Sequence, residues 1–155
     1  MEALNNPYLI FKWVHILLAT IAIGFNASYG IWIALAARHP EHLLYTLRGI
    51  KRLDDRFANP AYVLLLLTGF GMVGIGRIPI TTFWIAAALV LWVVAIAAGY
   101  GLYTPTLRRQ IQVLEASGAD SPEYRALATR GTQIGIGVVV VVLLITVLMV
   151  FKPTL

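Results

Sequence analysis

The sequence contains no cysteine, only three histidines, and no acidic residue inside its long apolar stretches. Without cysteine the chain can form no disulfide, no thiolate-ligated iron–sulfur cluster and no thiol nucleophile. Carboxylate-lined ion paths and carboxylate-bridged di-metal sites both place Asp or Glu side chains inside membrane helices. Because the apolar stretches lack acidic residues, we expect neither kind of site in this protein.

What the sequence has in abundance is hydrophobic residues, which make up 59% of its 155 positions. They concentrate in four stretches, at about 8–36, 60–76, 83–104 and 131–152. Each is long enough to cross a hydrocarbon core of ~30 Å at 1.5 Å per helical residue. The pattern predicts one all-α domain, a bundle of four transmembrane helices. The first stretch exceeds the ~7–15 apolar residues of a signal peptide, so we expect a retained helix.

The basic residues are distributed unequally between the two sides of these stretches. If all four span, one side carries both termini and the turn at 76–82, and its cations are Lys12, Arg77 and Lys152. The other side carries Arg38, Arg48, Lys51, Arg52, Arg56, Arg108, Arg109, Arg125 and Arg130. The positive-inside rule predicts that this second side is cytoplasmic and that both termini face outward. Anionic lipid headgroups account for the basic residues, so we expect no nucleic-acid partner.

The connections between the stretches show their own periodic patterns. Residues 42–58 alternate leucines and isoleucines with basic residues at helical spacing, which predicts an amphipathic segment at the cytoplasmic interface. The third helix is expected to continue past the membrane to Glu115, with a bend at Pro105. Ser121 followed by Pro122 and Glu123 is typical of a helix start, and predicts the beginning of the fourth helix.

A faint internal repeat relates the two halves at an offset of 71 residues. Trp13 aligns with Trp84, and residues 27–32 align with residues 98–103. Both segments would run inward from the outer face, which predicts a parallel repeat of two helical hairpins. Membrane helices also share small and aromatic residues at equivalent depths, and this explanation is equally good. His15 aligns with Ala86, so the halves differ where a ligand would be needed.

His15 is the histidine that lies within an apolar stretch. On a helix it shares a face with Lys12, Ala19, Ala22 and Asn26, all of which are polar or small. Polar membrane residues usually face the bundle interior, and the two alanines leave room for a flat ligand. An imidazole nitrogen is a common axial ligand of haem iron, so His15 is a candidate metal ligand. The alternative is a hydrogen bond to a neighbouring helix, which spacing alone favours.

The depth of His15 fits a haem b site. It lies about 10 Å inside the outer boundary by helical rise, and Met72 and Met149 approach the same level. Either methionine is a candidate second axial ligand, and core packing is its other explanation. The three outer cations would pair with haem propionates, although two of them, Lys12 and Lys152, also have the ordinary explanation of snorkelling to the interface.

Two short motifs have both a structural and a functional interpretation. Asp54, Asp55 and Arg56 precede Asn59-Pro60, and we interpret them as a salt-bridged capping cluster rather than a substrate gate. The segment 131–135 has the spacing Gly-x-x-x-Gly, which permits close helix approach within the bundle or across a homodimer.

Several segments resemble a bacterial integral-membrane family classified as a domain of unknown function. They are Phe11–His15, Leu53–Pro60 with Leu67–Gly69, and Met149–Pro153. The same landmarks are more distantly similar to HemJ-type protoporphyrinogen oxidases and CopD-like copper-resistance domains. The resemblance implies a four-helix haem-b protein of the bacterial inner membrane, with His15 as axial ligand. It departs from the HemJ type in the third span, where this sequence has no charged residue and that family has a lysine.

Three hypotheses about function follow. The first is a haem-b protein for electron transfer or for oxidation of a membrane-soluble substrate, an oxidoreductase whose ligand is a quinone or porphyrin-like molecule. The second is an oligomeric small-solute transporter or channel subunit with a polar path lined by Asn26, Tyr29, Thr68 and Gln133. The third is a non-catalytic assembly partner of another membrane protein.

Overall fold

A computed structural model describes residues 6–154, and every regular element in that range is helical. The six α-helices are α1 (Pro7–Ala36), α2 (Pro40–Leu53), α3 (Asn59–Ile75), α4 (Phe83–Ala98), α5 (Thr104–Ser117) and α6 (Pro122–Phe151). One π-helical turn, Asp54–Ala58, joins α2 to α3, and a second, Gly99–Tyr103, joins α4 to α5. Four continuous helical stretches are long and apolar enough to cross a membrane: Pro7–Ala36, Pro40–Ile75, Phe83–Ser117 and Pro122–Phe151. This confirms the predicted four-helix membrane fold.

The bundle consists of two antiparallel helix pairs, α1 with α3 and α4 with α6, which meet where α1 contacts α6. Asn6, the loop between α3 and α4, and Lys152 lie at one end, which we call the terminal end. The helices α2 and α5 and the start of α6 lie at the other, which we call the basic end. The pairing is the one expected of two consecutive hairpins. That the hairpins form a repeat stays a prediction.

Glycines on α3 allow α1 to approach closely. A methyl group at Gly71 would lie 2.4 Å from Cε1 of Phe11, and one at Gly69 would lie 3.5 Å from Cε1 of His15. Helices in membranes associate largely through such packing, because lipid gives no hydrophobic drive between them. The glycine-rich end of α3 is therefore an interface with α1.

The basic end has a hydrophobic core of its own, built where α2 packs on α1 and α5. Its buried members are Tyr29, Ala36, Leu43, Leu47, Ile50, Leu107, Val113 and Tyr124. The helix α2 is amphipathic, as its leucine spacing indicates, but its buried apolar residues pack against protein. This end therefore resembles a small soluble domain attached to the membrane bundle.

Helix α6 begins where the sequence predicts. The Ser121 Oγ atom accepts a hydrogen bond from the Tyr124 amide at 3.2 Å, Pro122 occupies the first turn, and Glu123 lies in the positive end of the helix dipole. Gly118, with φ of 77°, ends α5 in a conformation that favours glycine. The tight connection returns the chain so that α6 packs along α5.

Candidate functional site

Each π-helical turn lies immediately before a proline in the second position of the next helix. Asn59 precedes Pro60, and its backbone N–H donates to the backbone carbonyl of Asp54, five residues back. Thr104 precedes Pro105, and its amide donates to the Gly99 carbonyl in the same way. A proline inside a helix lacks an N–H group and clashes with the carbonyl four residues earlier, so a wider turn relieves the clash. Such turns recur at functional sites because they redirect side chains.

The first π turn buries the Asp54 carboxylate inside the protein. Asp54 is 6% exposed, and it accepts a hydrogen bond from Asn59 Nδ2 at 3.3 Å. Thr104, buried at the start of α5, lies beside the same carboxylate. Its neighbour Asp55 is exposed and forms a salt bridge with Lys51 instead. The predicted capping cluster thus divides into one paired surface carboxylate and one buried carboxylate.

Asp54 lines a partly open cavity of about 570 Å³, to which α1, α3, α4, α5, α6 and both π turns contribute residues. Its polar lining consists of Asn26, Tyr29, Asp54, Asn59, Tyr62, Tyr100, Tyr103, Gln110 and Thr132. The remaining lining is small or aliphatic, including Gly30, Gly99, Gly131 and Gly135. A volume of this size is typical of small-molecule sites, which combine apolar walls with a few placed polar groups. The turn before the second span, and not the span itself, contributes this single carboxylate to the cavity. That the protein has no carboxylate-lined ion path stays a prediction.

Four tyrosines line the cavity that contains the buried carboxylate. Tyr29, Tyr62, Tyr100 and Tyr103 all line the cavity and lie within electrostatic range of Asp54. The Tyr29 hydroxyl is buried, and among residues 6–154 it has no hydrogen-bond partner. Leaving a buried hydroxyl unpaired costs about 1–3 kcal/mol, so such groups usually have a ligand or water as their partner. The Tyr29 hydroxyl is therefore a polar group in the cavity wall that can still accept a hydrogen bond from a ligand or donate one to it.

Hydrogen bonds across the helices hold the cavity wall in place. Asn26 Nδ2 on α1 donates to the Tyr62 hydroxyl on α3 and to the Ala22 carbonyl, both at 2.8 Å. On the other side of α3, Trp92 Nε1 of α4 donates to the Tyr62 carbonyl at 3.3 Å. Tyr62 thus links α1, α3 and α4 at the edge of the cavity.

A second, more open depression of about 640 Å³ lies between α3 and the second π turn. Its lining is Asp55, Asn59, Pro60, Val63, Leu64 and Tyr100. Asn59 and Tyr100 line both this groove and the cavity. The groove and the cavity therefore share these two side chains as part of their walls.

Close glycine contacts complete the wall on α6. A methyl group at Gly131 would lie 3.7 Å from Gln110 Oε1, and one at Gly135 would lie 3.8 Å from Tyr103 Cε2. The Gly-x-x-x-Gly motif is thus used within the chain, where α6 meets α5 and the second π turn. A homodimer through small-residue contacts stays a prediction.

His15 lies away from the cavity, toward the terminal end. Its Nδ1 atom is 2.8 Å from Thr68 Oγ1 on α3. The Thr68 hydroxyl has the carbonyls of Leu64 and Leu65, at 2.8 and 3.1 Å, as acceptors for its single proton. This arrangement favours the tautomer in which His15 Nδ1–H donates to Thr68 and the Nε2 lone pair is free. The hydrogen bond to a neighbouring helix, one of the two alternatives for this residue, is present.

The other predicted site residues are dispersed. Lys12 and Arg77 are exposed, Ala19, Met72 and Met149 are half-buried, and Lys152 Nζ lies 5.3 Å from the ring centre of Trp84. Ala22 is 1% exposed, so protein covers the face on which the sequence suggests a gap. Asn26 is the member of the predicted haem set that lines the cavity. Tyr29 lines it as the transport hypothesis expects, whereas Thr68 bonds His15 and Gln133 is exposed.

Metal binding by a cluster of side chains finds no support in the described range. Between residues 6 and 154 no group of three or more His, Asp or Glu side chains is placed to hold a metal ion. This criterion does not apply to a single histidine that ligates the iron of a bound haem. His15 as an axial ligand therefore stays a prediction.

Sequence reasoning missed Asp54, Asn59 and the tyrosine cluster as members of one site. The available signal was a pair of similar junctions, Asn59-Pro60 and Thr104-Pro105, each joining an apolar stretch to a basic one. Tyr100 and Tyr103 precede the second of these. Helical spacing could not bring them to Asp54, because the two junctions lie on different helices.

Comparison with protein families gives one match, to the family described as "Predicted integral membrane protein (DUF2269)", over residues 9–153. No curated protein matches the chain, and no solved structure matches it. The match bears out the resemblance to an integral-membrane family of unknown function. The more distant similarity to HemJ-type and CopD-like proteins stays a prediction.

Proposed function

The chain belongs to the DUF2269 family of predicted integral membrane proteins, and we propose that it binds a small polar solute inside the bundle and transports it. The observation that supports this most directly is the 570 Å³ cavity with a buried carboxylate and an unpaired tyrosine hydroxyl in its wall. Polar groups within membrane helices are costly, and they usually mark substrate or ion pathways.

The arrangement of the cavity suits a ligand that is held from several helices. Asn26 comes from α1, Asn59 from α3, and Gln110 from α5. Amide side chains both donate and accept hydrogen bonds, so they can orient a solute of mixed polarity. Both π turns contribute to the same space, the first through Asp54 and the second through Tyr103.

The groove between α3 and the second π turn provides a route of access in this proposal. Asn59 and Tyr100 line both spaces, and Tyr100 is exposed. Movement of the Tyr100 ring would connect the cavity with the surface at the basic end. Exchange with the opposite side then requires α3 and α4 to move relative to each other.

The same proposal includes an orientation and a location. We place the basic end in the cytoplasm and the terminal end outside, because cytoplasmic connections carry an excess of Lys and Arg. The membrane is the bacterial inner membrane. With four spans per chain, a transporter of this kind is expected to work as a dimer or larger oligomer.

A thermal-shift screen tests the transport proposal. Detergent-purified protein would be heated with a library of metabolite-sized polar compounds, and hits would be followed by uptake into proteoliposomes. A ligand at 100 times its Kd stabilises the folded state by about 2.7 kcal/mol, which is readily detected. We expect hits with the natural sequence, and their loss in Asn26→Leu, which removes a polar group and fills the cavity.

Gln133→Leu is the matched control, since Gln133 is exposed on α6 and does not line the cavity. It should bind and transport the same compounds as the natural sequence. A screen without a single stabilising compound, or hits equally affected by both substitutions, would refute binding in this cavity.

His15 supports a second candidate function, a haem-b protein for electron transfer or oxidation of a quinone-like substrate. The specific observation is the contact of His15 Nδ1 with the Thr68 hydroxyl, which favours the Nδ1–H tautomer and leaves Nε2 available to iron. Metal-binding histidines usually have such a partner on their other ring nitrogen. A haem bound there would supply one-electron chemistry, with the exposed Lys12 and Arg77 near its carboxylates.

The packing restricts where a porphyrin could fit. Ala22 is covered by protein, and Gly69 lies against the His15 ring, so the space between α1 and α3 below His15 is filled. A haem would have to lie at the level of His15 or nearer the terminal end. The donor chemistry fits this cofactor, whereas the predicted alanine-lined gap does not.

An absorption spectrum tests this second candidate. Protein purified from haem-replete cells should show a Soret band that His15→Ala removes and that Thr68→Val shifts or weakens. Asn26→Leu should leave the band unchanged, because Asn26 belongs to the cavity. Colourless protein after haem reconstitution would end the proposal.

A further inference from the structure

We propose that the solute bound in the cavity is an organic cation, a molecule with an ammonium group for which Asp54 is the counter-ion and the tyrosines form an aromatic cage. This inference rests on the proposed function, since it names the chemical class of the solute. It follows from the charge, the aromatic lining and the size of the cavity.

In the described part of the chain, the cavity is lined by one acidic residue, Asp54, and by no Lys, Arg or His side chain. The cation Lys51 lies within electrostatic range of Asp54 but outside the cavity lining. Within residues 6–154 the salt bridges are formed by other carboxylates: Lys51 pairs with Asp55, Arg48 with Glu115, Arg109 with Glu123, and Arg125 with Asp120. A buried carboxylate is costly unless it is paired, and the attraction of a cation is strong in a space of low dielectric constant.

The hydrogen bonds that Asp54 receives do not replace a cation. Asn59 Nδ2 is 3.3 Å from the carboxylate, longer than the 2.7–3.2 Å typical of N–H···O bonds. An amide is neutral, so this contact orients the carboxylate without neutralising it. A positively charged ligand would pair with the carboxylate from inside the cavity, where no described side chain supplies a cation.

The aromatic rings indicate an organic cation rather than a metal ion. Tyr62, Tyr100 and Tyr103 line the cavity close to Asp54, and ring faces attract ammonium groups within about 6 Å. A metal ion such as Ca²⁺ requires six to eight oxygen ligands gathered at 2.3–2.6 Å. No cluster of acidic side chains offers that within the described range, and 570 Å³ is far more space than a bare ion needs.

A pair of isosteres separates charge from shape. Choline and its uncharged analogue 3,3-dimethylbutan-1-ol have the same outline, with a carbon in place of the quaternary nitrogen. Binding of each to detergent-purified protein would be measured by thermal shift and calorimetry, with butylammonium and butan-1-ol as a second pair. We expect both cations to bind at least tenfold more tightly than their neutral partners.

Asp54→Asn should abolish this preference, whereas Asp55→Asn, on the exposed neighbour, should keep it. If Asp54→Asn does not fold, Tyr100 supplies the test, because this residue is 45% exposed and its substitution leaves the buried core in place. Tyr100→Leu should weaken cation binding by about threefold to thirtyfold, and Tyr100→Phe, which keeps the ring, should not.

The outcomes distinguish the two proposals. Neutral analogues that bind as well as the cations, or cation binding unchanged in Asp54→Asn, would overturn the cation inference alone. Hits from the polar library that are anionic or neutral would do the same, while leaving solute binding intact. Failure of every compound to bind would remove the proposed function together with this inference.

Discussion

Single residues in this protein act mainly through hydrogen bonds and close approaches between helices. Asn26 uses both amide protons, one on its own helix and one on Tyr62 of α3. His15 does the same work nearer the terminal end through Thr68. Such bonds contribute about 0.6 kcal/mol each on average in membrane proteins, so the closeness of the backbones matters as much.

The substitution Gly71→Ala tests how closely α1 and α3 approach each other. A methyl group there would lie 2.4 Å from the Phe11 ring, so Gly71→Ala should force the ring aside and destabilise the α1–α3 pair by about 1–3 kcal/mol. Gly74→Ala is the control on the same helix, since nothing lies within 4 Å of the added atom. The midpoint of SDS-induced unfolding would measure both. Equal midpoints for the two variants would contradict the close packing of Phe11 on Gly71.

At the scale of elements, α2 shows what helical spacing leaves open. Its leucines are spaced for one apolar face, and the sequence predicts that the segment lies at the cytoplasmic interface without identifying what covers this face. In the structure Leu47 is 0% exposed, and the face packs on α1 and α5. Helical periodicity identifies an apolar face but not the partner that covers it.

Leu47→Ala distinguishes a protein core from a lipid surface. Truncation of a well-packed core leucine leaves a cavity, and the expected loss is about 2–5 kcal/mol of unfolding free energy. Leu67→Ala on α3 is the matched control, because Leu67 is 57% exposed on the bundle surface, where lipid can fill the space. SDS-induced unfolding followed by circular dichroism would compare them. A similar small effect in both variants would argue that α2 does not pack on the bundle.

The two π turns are also features of whole elements. Each precedes a proline that is visible in the sequence, but the sequence predicts only a bend at Pro105 and does not predict that either turn is π-helical. A helix can kink, end or form a wider turn at a proline, and the outcome depends on which neighbouring groups bond its free backbone N–H and C=O groups. Here wider turns form at both positions, and Asp54 of the first turn and Tyr103 of the second line one cavity.

At the scale of the whole molecule, the absence of cysteine permits a clean test of orientation. Single cysteines at Thr81, in the loop of the terminal end, and at Asp120, in the loop of the basic end, would be the only thiols in the chain. We expect a membrane-impermeant maleimide to label Thr81→Cys in intact spheroplasts and Asp120→Cys only after permeabilisation. The reverse pattern would place the basic end outside and overturn the proposed orientation.

The sequence by itself determined the number of spans, the unequal charge of the two ends and the starts of helices such as that at Ser121. These depend on local composition and on hydrogen bonds within a few residues, which the chain order displays directly. The tertiary structure alone decided that Asp54 is buried, that its neighbour Asp55 is not, and that tyrosines of several elements line the cavity that contains Asp54. Those relations join residues far apart in the chain, and they depend on how two π turns rotate the helices around a shared space.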